Sequence, residues 1–198
     1  MIPIRSAASV FLLTVPGAAQ AHLVNSGLGP FYDGALHLLM SPGDLLGLIA
    51  ISLLAGLRGS KAGRWTVVAL PVAWLVAGVV GLQTSLTVEL VWLGTLSFLV
   101  LGVLVALDAK VSPVLLACLA AAYGGLHGLL NGSTLAATGA STSTLFGIVM
   151  AAWMLALLTT AAVVPLRAMW SRTIVRVAGS WIVAVGMLML GWTLQTMN

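Results

Sequence analysis

From Ser41 to Leu194 the chain is a succession of six apolar runs, each separated from the next by a short polar or basic connection. The first run follows Ser41-Pro42-Gly43-Asp44 and reaches Leu57; the others occupy Trp65–Leu82, Val88–Leu107, Pro113–Leu130, Leu145–Pro165 and Ile174–Leu194. A helix needs roughly 20 apolar residues to cross a bilayer, because it rises only about 1.5 Å per residue through some 30 Å of hydrocarbon. With 61% hydrophobic and 6% charged residues in 198, the chain lacks the roughly one quarter of charged residues that a soluble domain carries, and has no length left for a second domain. The expected fold class is an all-α membrane protein: an N-terminal signal peptide (1–21), an outer-facing segment with a short helix (22–40), and a bundle of about six transmembrane helices (41–198).

Residues 1–21 carry the signal-peptide pattern. Arg5 precedes an apolar stretch to Val15, Pro16-Gly17 breaks it, and Ala19-Gln20-Ala21 supplies small residues for cleavage. An uncleaved anchor is the alternative. Orientation follows from the other basic residues, since Lys and Arg resist translocation. If the leader is removed outside, then Arg58, Lys61, Arg64, Lys110, Arg167, Arg172 and Arg176 all fall inside. The connections 83–87 and 131–144 and the tail 195–198 carry no Lys or Arg. The expected location is a bacterial inner membrane with the mature N-terminus and the C-terminus periplasmic. The net charge of +4 is thereby accounted for by topology, without a nucleic-acid partner. Cys118, the single cysteine, can build neither a disulfide framework nor a thiolate cluster within one chain, and reads as a small buried hydrophobe.

The same topology gathers the three histidines, His22, His37 and His127, at the outer side. After cleavage behind Ala21, the free amine and imidazole of His22 form a chelate; a solvated histidine is the bland alternative. In Asp33-xxx-His37 the four-residue spacing puts carboxylate and imidazole on one helix face, a pair suited either to a divalent first-row metal or to a plain hydrogen bond. Ser41 reads as an N-cap, Pro42 as the first helical residue, and Asp44 as a capping-box acid or a metal ligand. Tyr123, His127 and Asn131 repeat every four residues as a polar stripe, which inside a membrane must be paired or hydrated. Glu89 reads as an acid at a helix start, and Met40 as a possible soft ligand beside His37. Gly124, Gly128 and Gly132 form a stripe of small residues where another helix can approach closely.

These residues carry a resemblance. Phe31-Tyr32-Asp33-Gly34-Ala35-Leu36-His37, Gly43-Asp44 and Gly124-Gly125-Leu126-His127-Gly128 resemble motifs of the HupE/UreJ family of small nickel and cobalt permeases associated with hydrogenase and urease. Leu45 and Tyr123 stand where that family has histidines. The resemblance implies that His37, Asp44 and His127 bind the transported ion, with hydrogenase or urease maturation proteins as partners; Asp33 and Asn131 are added from spacing, and His22 from its place after the leader. The expected function is a secondary permease for Ni(II) or Co(II), with the ion as substrate, copper as a further candidate and no organic cofactor. No Walker-type nucleotide motif is present. A non-transporting factor that delivers copper or nickel to a partner is the second reading. An intramembrane hydrolase using Ser133 or Ser141 is a distant third, and no enzyme is expected.

Overall fold

The computed structural model describes residues 25–84 and 91–196. The expected leader, His22 and Glu89 lie outside them. The described residues form seven helices: α1 (Pro30–Met40), α2 (Pro42–Arg58), α3 (Ser60–Gly81), α4 (Val91–Ala106), α5 (Pro113–Thr138), α6 (Thr142–Val163) and α7 (Met169–Thr196).

Local chemistry sets the first break. Pro42 disfavours helical backbone in the residue before it, and Ser41 is extended at φ −97°, ψ 96°. The chain therefore turns by 75° between α1 and α2. As expected, Ser41 is the N-cap position and Pro42 opens the helix. Gly59, at φ 95°, provides the left-handed backbone that reverses the chain between α2 and α3. Helix α2 is the axis of the bundle, packing against every other helix. Its residues from Ala50 to Leu57 are buried without interruption, as its unrelieved apolar character requires.

The tightest pairing is α3 with α5, and the glycine stripe creates it. A Cβ on Gly124, Gly128 or Gly132 would lie 2.3, 2.2 or 2.2 Å from the carbonyl oxygens of Leu70, Trp74 and Gly78, one helical turn apart along α3. Absence of side chains there lets the two backbones touch, the general mechanism of close helix pairs in membranes. Gly34 and Gly147 do the same for α1 and α6, with Cβ positions 1.9 Å from Thr144 O and Phe31 O.

Apolar helices of this length fit a multi-pass membrane protein. Among the described residues four helices, α3, α5, α6 and α7, are long and apolar enough to cross, and five if the bent pair α1–α2 counts as one broken span. Six spans are not confirmed among the described residues. The 17 residues of α2 and the 16 described in α4 extend only about 26 and 24 Å at 1.5 Å per residue, short of a hydrocarbon core of about 30 Å.

Two expectations are corrected. The connection expected from Asn131 is helical to Thr138, because Ser133, Thr134 and Thr138 return their hydroxyls to the carbonyls of Leu129, Leu130 and Thr134; Gly139, at φ 67°, then ends the helix. Cys118 is exposed on the outer face of α5, not buried.

Because successive helices alternate in direction, the seven basic residues from Arg58 onward lie at one end of the bundle, and Asp44, His127 and Asn131 towards the other. At the basic end Asp108 accepts hydrogen bonds from Arg58 and Arg172, while Arg176 Nε donates to Ala106 O at 3.0 Å.

Candidate functional site

Asp44, in the first turn of α2, projects towards α5. It spends no oxygen on capping its own helix, in contrast to the capping-box reading. Its Oδ1 accepts from His127 Nδ1 at 2.5 Å and its Oδ2 from Asn131 Nδ2 at 3.0 Å. Asn131 also donates to His127 O at 2.8 Å, so its amide nitrogen faces Asp44 and its carbonyl oxygen faces away. His37 Nε2, coming from α1, donates to that oxygen at 3.1 Å. A polar chain thus runs from α1 through α5 to α2 and back, in the order His37, Asn131, Asp44, His127. Helical continuation of α5 past Leu130 is what places Asn131 four residues beyond His127 and inside this chain.

The network is buried, with His37, His127 and Asn131 exposed by only 7, 2 and 5%. Buried polar groups persist in an apolar interior only when their hydrogen bonds are made, and here each has its partner. His127 is also held by rings. Its centroid lies 4.1 Å from that of Tyr123 and 5.8 Å from that of Trp74. Tyr123 is fixed in turn, donating its hydroxyl to Asp44 O at 2.7 Å. Room for the phenol comes from Gly47, where a Cβ would stand 2.4 Å from Tyr123 Cε2.

Both Asp44 oxygens act as acceptors, so His127 Nδ1 carries the hydrogen that Asp44 receives. The other nitrogen, Nε2, lies 2.9 Å from Ser97 Oγ on α4. That hydroxyl is also 2.7 Å from Gly94 O, so its one hydrogen has two acceptors in reach. Donated to Nε2, it occupies the lone pair there, which an ion could reach only with the hydroxyl turned to Gly94 O. A carboxylate behind one imidazole nitrogen is the arrangement that orients histidine for a metal on the other.

His37, Asp44, His127 and Asn131 all line a cavity of about 630 Å³, with Met40, Ser41 and Thr95 also on its wall. Four of the six expected site residues therefore converge. Of the other two, His22 lies outside the described residues. Asp33 is turned elsewhere, its Oδ1 accepting from Ser26 N at 2.7 Å and Ser26 Oγ at 2.6 Å, with no bond to His37. Asp33→Ala is accordingly expected to leave metal uptake within about twofold of wild type while loosening the 25–29 segment, which limited proteolysis would read; a loss of uptake comparable to that of a cavity residue would return Asp33 to the site.

Among the described residues, no group of three or more His, Cys, Asp or Glu side chains is gathered tightly enough to hold a metal by protein ligands alone. Asn131 stands between His37 and Asp44, bonded to both. Ser133 and Ser141 use their hydroxyls on Leu129 O and the Thr144 hydroxyl, and neither bonds a histidine among the described residues. Thr95, on the cavity wall, and Ser97, beside His127, were missed by sequence reading, although two hydroxyls just after Gly94 in an otherwise apolar run were a signal of a kind.

A family model described as HupE / UreJ protein matches residues 10–189. No curated protein and no solved structure matches the chain.

Proposed function

Since the chain belongs to the HupE/UreJ family, which is related to nickel and cobalt transport, we propose that it is a secondary permease that takes up a divalent first-row metal ion, Ni(II) or Co(II), through this cavity. The observation that carries the reading is the Asp44–His127 pair on the wall of a cavity that His37 and Asn131 also line. Imidazole and carboxylate suit these ions. A partly hydrated site with few protein ligands binds strongly enough to load and weakly enough to release, which translocation requires and storage does not. His37 offers a second imidazole on entry, separated from the first by the Asn131 amide. The basic end lies inside in this orientation, and the membrane potential draws the cation inward by about 2.3 kcal/mol per charge per 100 mV.

Delivery of metal to a partner without translocation is the competing reading. Purified protein in sealed vesicles separates the two. A permease accumulates Ni(II) or Co(II) in the lumen, faster with an inside-negative potential. Binding to the vesicle surface with no luminal ion, at any potential, would overturn the permease reading.

A further inference from the structure

At the end of the bundle opposite the metal cavity, a second cavity of about 380 Å³ lies between the end of α2, the start of α3 and the connection from α6 to α7. Its wall holds three arginines, Arg58, Arg167 and Arg172, and no acidic residue. The acid nearest to them is Asp108, which accepts from Arg58 and Arg172. Among the described residues this end carries seven basic side chains and that single carboxylate.

The donors on this wall outnumber their acceptors. Arg58 Nε is buried and has no hydrogen-bond partner. The Arg167 side chain makes no hydrogen bond or ion pair among the described residues, and Arg172 commits only one of its nitrogens, Nη2, to Asp108. The start of α3 also contributes. Gly59 and Ser60 line the cavity, and no side chain caps the first N–H groups of this 22-residue helix. Uncapped helix N-termini present N–H groups and positive potential to anions, and guanidinium groups pair with phosphate oxygens through paired N–H bonds. Orphaned guanidinium and amide donors around one space describe an oxyanion site and repel a free metal cation. At roughly 30 Å³ per water, the space holds the equivalent of about a dozen water molecules, enough for a phosphate group with part of its shell.

We propose that this arginine-lined cavity binds a phosphate group, supplied either by the head group of an anionic phospholipid or by free phosphate. Basic recesses between helices at a membrane surface commonly serve the former. The site is independent of the metal cavity, and its test requires no metal.

The full chain in neutral detergent is titrated separately with phosphatidylglycerol, phosphatidylcholine and inorganic phosphate, reading thermal stability and lipid retained in native mass spectrometry. Phosphatidylglycerol is expected to raise the melting temperature and to be retained, and phosphatidylcholine to do neither. An equal response to inorganic phosphate identifies the free anion as sufficient; a response to phosphatidylglycerol alone identifies the lipid head group. Arg167→Gln, at an exposed and unpaired side chain, is expected to melt as wild type does without anion and to weaken anion binding at least about tenfold through loss of one charge-assisted contact. Lys110→Gln removes an equal charge from the same end outside the cavity and is expected to leave binding unchanged. No binding of either anion, equal binding by Arg167→Gln, or an equal loss in Lys110→Gln would overturn the proposal.

Discussion

Asp44→Asn is expected to lower the initial rate of nickel or cobalt uptake into vesicles by about 10–100-fold, the usual consequence of removing the carboxylate behind a metal-binding histidine. An asparagine can still offer one oxygen to His127 Nδ1, but its NH₂ would then face the Asn131 NH₂, donor against donor, where Asp44 now accepts from both. Two effects follow. His127 loses the carboxylate that fixes its ring, and a buried donor is left without its partner, destabilising the fold by about 1–3 kcal/mol. His127→Gln, which removes the imidazole itself, is expected to reduce uptake at least as far. Melting temperatures of the same preparations separate the two causes. A folded Asp44→Asn protein that transports within twofold of wild type, at equal protein per vesicle, would show that the pair does not handle metal.

Gly128→Leu is expected to prevent assembly of the bundle, and Gly128→Ala to destabilise it by at least the 1–3 kcal/mol typical of overpacking. The atom in the way is Trp74 O, 2.2 Å from the new Cβ, and a helical carbonyl cannot swing aside as a side-chain tip can. Parting α3 from α5 would also shift Trp74 and Tyr123, the two rings that flank His127. The control lies three residues earlier in the same helix. A Cβ on Gly125 meets nothing within 4 Å, so Gly125→Ala is expected to be neutral or slightly stabilising through its better helix propensity. Monodispersity on size exclusion and thermal unfolding in detergent read both. Equal behaviour of the alanine variants at 125 and 128 would refute backbone contact as the basis of the α3–α5 pairing.

Sequence alone established the family resemblance, the helical membrane class, the Ser41–Pro42 break, the glycine stripe and the polar residues of the site, because each is a local or periodic signal. Proline acts on the residue before it, glycine permits approach whatever the partner, and histidine or aspartate in an apolar run stands out by its desolvation cost. Tertiary structure decided how those groups are used. Nothing local distinguishes an Asp44 that caps its own helix from one that reaches across to His127 and Asn131, nor an Asp33 that faces His37 from one taken by Ser26. Hydropathy likewise could not tell Cys118 from the buried Leu116 on the same helix, since lipid is as apolar as a protein core and the outside of such a bundle looks like its inside. Which hydrogen-bond partner wins depends on groups some eighty or ninety residues away in the chain, and only packing α5 against α2 and α1 brings them within reach.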